Sequence, residues 1–246
     1  MSEAKSTAQT SFYVDAILFD MDGTLLDSTA GVVGAWERFK ETYPGIDIHD
    51  ILNTSHGVRT VDNLKKHCGI TDPDELEREA ERFDKAIVET STDNGRQGIV
   101  KLPGVSAILS TLEPLLGDQD SRQRWAICTS ATRSYATSAL KIAGIPKPHA
   151  FVAAEDVENG KPYPDPYLLG AKLCKALPER CLVIEDAPSG VLSGRAAGCK
   201  TIGLLTTHTL DQMEACRPDF LIPNLASCTV TVSDEGGFNI TVGTEH

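Results

Sequence analysis

An apolar run, Val14 and Ala16 to Phe19, stops abruptly at Asp20-Met21-Asp22-Gly23-Thr24, and that junction constrains the chain more than any other stretch. A strand apolar on both faces belongs at the centre of a parallel sheet, and ligands of such sheets sit beyond the carboxyl ends of the strands. Two carboxylates are thereby delivered to a site. Residues two apart in an extended chain share a face, so Asp20 and Asp22 project together, while Gly23 permits a turn and Thr24 can bond its own backbone. Paired carboxylates can hold Mg²⁺, and one of them can also be a nucleophile or an acid and base. A solvated turn, or half of a calcium loop, is the competing reading. A calcium loop needs further acids and a later Glu, whereas Thr24-Leu25-Leu26 turns apolar.

The remaining pattern supplies the sheet. Residues 29 to 43 carry Val32, Val33, Trp36 and Phe39 at helical spacing, and helical stretches follow at 47–53, 58–68 and 73–91, the last opening with Asp72-Pro73. No strand-like run interrupts 29–98, which reads as an all-helical insertion closed by the turn-rich 93–98. Beyond Pro103-Gly104 the pattern alternates: helix 104–116, strand 124–128, helix 133–143, strand 150–153, helix 165–176, strand 181–184, helix 189–197, strand 200–205. Such alternation predicts an α/β fold with a doubly wound parallel sheet covered by helices on both faces. The expected layout is a disordered 1–11, a core of 12–28 with 99–246, and an insert of 29–98. Past 218, a short strand at 220–223 and a Thr/Val run at 229–232 suggest a terminal hairpin.

Length and charge narrow the function classes. At 246 residues the chain can bury a sizeable core and carry a small inserted domain. No apolar run approaches the roughly 18 residues of a membrane helix. A formal net charge of -12 argues against a nucleic-acid surface and against anionic lipid. A phosphate-bearing substrate would need its own positive centre in the site. The cysteine count is odd, 7, with no Cys-x-x-Cys, and Cys128 and Cys181 fall in apolar runs. They read as reduced thiols. The small, polar N-terminal stretch shows no targeting pattern, so a cytoplasmic, monomeric protein is expected.

Three further strand ends carry chemistry. Trp125-Ala126-Ile127-Cys128 runs into Thr129-Ser130 before a helix, a hydroxyl and helix-amide arrangement that can cradle phosphate or simply cap the helix. In Asn159-Gly160-Lys161-Pro162-Tyr163-Pro164-Asp165-Pro166 the prolines stiffen the loop that holds Lys161. Leu182-Val183-Ile184 ends in Glu185-Asp186, two acids that need charge partners at the end of a buried strand. Mg²⁺ is the natural one.

These four stretches, in order, resemble the four motifs of the haloacid dehalogenase superfamily, most of whose members are Mg²⁺-dependent phosphatases. The resemblance implies a Rossmann-like core and a helical cap over the site. It implies Asp20 as nucleophile, forming an aspartyl-phosphate, Asp22 as acid and base, and Thr129, Ser130 and Lys161 on the phosphoryl group. The metal would be held by Asp20, by Asp186 directly, by Glu185 through water, and by the main-chain carbonyl of Asp22. Dehalogenases and phosphonate-cleaving relatives lack the second Asp, which is present here as Asp22.

In the insert, Ser55-His56-Gly57-Val58-Arg59-Thr60 reads either as a solvated helix start or as a clamp of His56, Arg59 and Thr60 on the part of the substrate beyond the phosphate. Together with Thr129 to Arg133 and Gly160 to Tyr167 it is similar to the fungal glycerol-phosphate and 2-deoxyglucose-6-phosphate phosphatases. The expected activity is hydrolysis of a small polyol or sugar phosphate. Two rivals stand beside it: a hexose phosphomutase, and a catalytically idle phosphate-binding regulator. Cap-bearing mutases of the superfamily place a His ten residues beyond the second motif Asp, where this chain has Val32.

Overall fold

The structure, a computed structural model, describes residues 8–54, 57–116 and 124–244. The chain opens with β1 (Ala8–Val14), β2 (Ala16–Phe19) and β3 (Leu26–Asp27), then passes through α1 (Thr29–Thr42), α2 (Ile48–Thr54), α3 (Thr60–Cys68) and α4 (Pro73–Thr90). It returns by β4 (Val100–Lys101) to α5 (Val105–Leu112), β5 (Trp125–Cys128), α6 (Arg133–Ala143), β6 (Ala150–Val152), α7 (Asp165–Leu173), β7 (Cys181–Glu185) and α8 (Pro188–Ala196). β8 (Lys200–Leu204), α9 (Leu210–Ala215), β9 (Phe220–Ile222), β10 (Cys228–Val232) and β11 (Phe238–Thr244) complete it.

Six strands form one parallel sheet in the order β6-β5-β2-β7-β8-β9. β2 lies between β5 and β7, with Phe19 opposite both Ile127 and Ile184, so the first Asp emerges where the strand order reverses. Alternation along β2 sorts its side chains between two cores. Ile17 and Phe19 join Trp125, Ile127 and Ile184 on one face; Ala16 and Leu18 join Ala126, Cys128 and Val183 on the other. The second face is built of small residues, and α7 sits close enough that a side chain at Gly170 would lie 2.5 Å from Cys128 Sγ. All seven cysteines are free, and all but Cys68 are buried.

The helices between residues 29 and 98 make their own core. Trp36 and Phe39 on α1 meet Phe83 on α4 at ring distances of 4.5 and 5.0 Å. Asp72 caps α4 by accepting from Glu75 N–H at 2.8 Å, with Pro73 following it. The two chain crossings into this unit run side by side as the short antiparallel pair β3 and β4. No helix among the described residues is long and apolar enough to cross a membrane.

The chain ends correct two expectations. Residues 8–11, expected to be disordered, belong to β1, which pairs with β11 from Ala8 opposite Thr244 to Val14 opposite Phe238; residues 1–7 lie outside the described residues. Gln9-Thr10-Ser11 carries no apolar signal of its own, and its partner lies more than two hundred residues away, so local pattern could not reveal the strand. The terminal hairpin joins β10 to β11, with β1 as third strand, whereas Phe220–Ile222 extends the parallel sheet instead.

Phe238 is 1% exposed and ties this small sheet to the main core. Phe238→Ala is expected to cost about 3–5 kcal/mol, while Val232→Thr, at a half-exposed position, should stay within about 0.5 kcal/mol. Urea unfolding midpoints at unchanged slope measure both.

Candidate active site

The parallel sheet brings Asp20, Thr129 and Glu185-Asp186 to adjacent strand ends, and the loop before α7 inserts Lys161 among them. Asp20 N–H still donates to Ile184 O at 3.0 Å, which holds the acid in register with β7. Lys161 Nζ lies 2.5 Å from Asp20 Oδ1 and 2.6 Å from Glu185 Oε1, with all three side chains essentially buried. Burial by itself would lower the Lys161 pKa, but the two carboxylates hold it above its ordinary value.

Glu185 is saturated. Oε1 accepts from Lys161 and from Tyr167 OH at 2.8 Å, and Oε2 from the N–H groups of Asp186 and Ala187 at 3.0 Å each. Two donors on each oxygen use the lone pairs of a carboxylate. Glu185 therefore anchors Lys161 and has no lone pair left for a metal. Asp186 is different: Oδ1 accepts from Thr24 Oγ1 at 3.1 Å and Oδ2 from Thr207 Oγ1, one donor apiece. The turn after Asp20 presses against it, for Gly23 has φ 86 and a side chain there would lie 2.2 Å from Asp186 Oδ2.

Asp22 stands apart from the cluster of Asp20, Glu185 and Asp186. Its Oδ1 accepts from Ser28 Oγ at 2.6 Å and Tyr135 OH at 2.8 Å. Burial raises its pKa, opposed by those two hydrogen bonds. With Oδ1 occupied twice, Oδ2 is the oxygen fit to carry a proton.

Thr129 and Ser130 divide. Thr129, buried, takes Ala131 N–H on its hydroxyl oxygen at 3.1 Å and lines the cavity, so its own O–H is left to donate. Ser130 also lines the cavity, but its Oγ donates to Gly57 O at 2.9 Å. Its hydroxyl joins the insert to the core, which removes it as a donor to phosphate.

Asp20, Asp22 and Thr129 open onto a cavity of about 110 Å³ between core and insert, walled by Val32, Trp36, Ile51, Phe83 and Ile87. Of the residues expected to clamp a substrate, His56 lies outside the described residues, and Thr60 lines the cavity. Arg59 does not. Its guanidinium donates to Asp62 Oδ2 at 2.8 Å and to Glu158 O at 3.2 Å, and its stem lies about 3 Å from where a side chain on Gly160 would stand. Arg59 straps the insert to the Lys161 loop, because a carbonyl and a carboxylate there satisfy a planar donor fork better than an apolar cavity would. A side chain at Gly57, φ 74, would lie 2.7 Å from Ser189 Oγ and 2.8 Å from Ala187 Cβ, so the insert presses on the core there as well.

Sequence reasoning missed Tyr167, Tyr135, Ser28, Thr207 and Asp84. The hydroxyl residues carried no local signal. Asp84 did: it breaks the buried stripe of Ala80, Phe83 and Ile87 on α4 and is itself 5% exposed.

The charge balance tests whether a metal fits. Asp20, Glu185 and Asp186 place three carboxylates beside one ammonium, an excess of two negative charges in a buried cluster. Burial, with Lys161 pulling the other way and Asp186 adding to it, pushes Asp20 up to about 7. Burial and the Glu185 charge do the same to Asp186, also about 7. Carboxylates left so uncompensated, with unshared lone pairs on Asp20 and Asp186, suit a hard divalent cation.

Residues 14–198 match the family described as hydrolase, haloacid dehalogenase-like hydrolase. The chain is 38% identical over 219 residues to hexitol phosphatase A of Escherichia coli (strain K12), covering 89% of this chain and 95% of that protein. It is 34% identical over 241 residues to glycerol-1-phosphate phosphohydrolase 2 of Saccharomyces cerevisiae, covering 95% and 90%. The crystal structure of a hydrolase from Pseudomonas syringae superposes with a TM-score of 0.68 at 27% identity, over 86% of this chain and 94% of that one.

Mg²⁺ is expected to raise the thermal unfolding midpoint relative to EDTA, by an amount equivalent to about 2.7 kcal/mol at a hundred times its Kd. Asp186→Asn should be more stable than the parent in EDTA, having shed one of three like charges, and should lose the Mg²⁺ shift. Differential scanning fluorimetry reads both signs.

Proposed function

Because the chain belongs to the haloacid dehalogenase-like hydrolases, we propose that it is a Mg²⁺-dependent cytoplasmic phosphatase that hydrolyses a small polyol or sugar phosphate through an aspartyl-phosphate on Asp20. The observation that carries this reading is the buried contact of Lys161 with Asp20 and Glu185, set beside Asp22 and a small cavity. The substrate class draws on the relatives named for hexitol and glycerol phosphates.

In this reading the ester enters with its phosphoryl group at the strand ends and its alcohol in the cavity. Lys161 and the Thr129 hydroxyl take phosphoryl oxygens, with helix amides behind them. Mg²⁺, held by Asp20, Asp186 and the Asp22 main-chain carbonyl, would supply charge neutralisation on the transferring group. Asp20 attacks phosphorus as the bond to the alcohol oxygen breaks, and Asp22 gives that oxygen its proton. Asp22, now ionised, takes a proton from the water that attacks the aspartyl-phosphate, so phosphate leaves and both acids return to their starting states. Ser28 and Tyr135 keep Asp22 oriented through both steps.

Val32 lines the cavity at the position where cap-bearing mutases of the superfamily place a His, and it has no proton to move. Hydrolysis is favoured over phosphoryl shuttling on that ground. A single chain suffices, since core and insert of one copy enclose the cavity.

A panel of phosphate esters assayed for released phosphate with Mg²⁺ tests the reading: turnover of polyol or hexose monophosphates supports it, and failure on every ester would sink it. Asp20→Asn should abolish turnover with little change in fold, since the amide is nearly isosteric but not nucleophilic. Asp22→Asn should slow both half-reactions by roughly a hundredfold or more while retaining Mg²⁺ affinity. Single-turnover kinetics and calorimetric titration separate the two effects.

A further inference from the structure

Asp84 is a buried acid that the reaction above does not use, although it joins the insert to the core through Thr132. It sits on the apolar face of α4, 5% exposed, and no ion pair among the described residues includes it. Buried carboxylates are costly unless their oxygens are satisfied. Here the partners are two hydroxyls: Thr60 Oγ1 donates to Oδ1 at 3.4 Å, and Thr132 Oγ1 donates to Oδ2. Thr132 also caps α6 by accepting Tyr135 N–H on its own oxygen at 3.3 Å, which leaves its proton for the ionised Asp84.

Each Asp84 oxygen thus accepts one donor and retains room for another, and the residue lines the same cavity as Asp20, Asp22 and Thr60. The lining also includes the apolar Val32, Trp36, Ile51, Leu52, Phe83 and Ile87, with Asn63 as a further polar side chain. No Lys or Arg is among the described lining residues, and Arg59 is occupied outside it. A leaving alcohol that brings O–H donors finds acceptor oxygens on Asp84 among the lining side chains. Burial pushes Asp84 up to about 7, so above that pH an alcohol that brings a second anion finds a carboxylate and no counter-charge, in a medium where like charges repel strongly.

We propose that Asp84, oriented by Thr60 and Thr132, is the specificity-determining residue for the leaving group: it accepts hydrogen bonds from neighbouring hydroxyls of a neutral polyol and excludes phosphate esters that carry a carboxylate or a second phosphate. The assignment rests on the phosphatase reading and names what that reading leaves open, the chemistry of the alcohol.

The test compares kcat/KM on glycerol phosphate, propyl phosphate, which lacks both hydroxyls, and 3-phosphoglycerate, which puts a carboxylate on the same carbon skeleton. The parent enzyme should prefer glycerol phosphate to propyl phosphate by about ten- to a hundredfold, the worth of hydrogen bonds to a charged group. It should prefer glycerol phosphate to 3-phosphoglycerate by about a hundredfold or more. In Asp84→Ala the first preference should collapse to within about threefold, the signature of a lost interaction in a mutant cycle. In Asp84→Asn, nearly isosteric and able to keep the threonine contacts, the discrimination against 3-phosphoglycerate should fall at least tenfold. If either variant turns over all three esters with the parent's ratios, Asp84 does not read the leaving group. Equal loss on propyl and glycerol phosphates would likewise overturn the assignment and make Asp84 a support of the cap. If Asp84→Ala fails to fold, the Asp84→Asn ratio decides alone. Absence of turnover by the parent on these three and on the wider panel of polyol and hexose phosphates would instead remove the phosphatase reading, whereas turnover of the panel without glycerol phosphate would overturn the assignment to Asp84.

Discussion

The ammonium of Lys161 between Asp20 and Glu185 is the interaction on which the rest of the structure depends. A carboxylate delivered to the end of a buried strand is tolerable only if something compensates it. Lys161 does so for two at once, from a loop stiffened by prolines and tied down by the backbone turn of Tyr163 N–H to Gly160 O. Glu185 in turn has every lone pair filled, so it holds the ammonium in place and cannot wander into the site. The position of Asp20 is thereby fixed by a residue on a different strand.

That compensation is deliberately incomplete in its effect. One ammonium against three carboxylates leaves the cluster with more negative charge than it can comfortably bury, and Asp20 and Asp186 are both pushed up to about 7 as a result. Buried groups with shifted proton affinity mark the places where a protein trades stability for chemistry. Burial raises Glu185 as well, but its oxygens are filled by donors, whereas Asp20 and Asp186 keep open lone pairs.

The insert completes the site by contact more than by charge. Ser130 to Gly57, Arg59 to Glu158 O, and Thr132 to Asp84 each join the helical unit to the core. The space that remains is lined by Asp20, Asp22 and Asp84 together with apolar side chains, and no Lys or Arg is among the described lining residues. Substrate selection in such a chamber rests on donors brought by the ligand.

The sequence by itself determined the parallel sheet and its motifs. An apolar run long enough to be a central strand must end at the sheet's carboxyl edge, so Asp20, Thr129 and Glu185-Asp186 were legible as neighbours wherever a strand pattern preceded them. The helical insert was equally legible from its unbroken 3.6-residue periodicity between 29 and 98. Asp84 could have been read too, as an acid on an otherwise buried face. Only the tertiary structure decided what had no local signature: that Gln9 to Phe12 finds a strand partner at the far end of the chain, that Tyr135 and Ser28 share one oxygen of Asp22, and that Arg59 turns outward. Periodicity records which face of an element is buried. It does not record which hydroxyl or guanidinium meets which acceptor across the core, because those pairings depend on angles between elements that the chain acquires only when they pack.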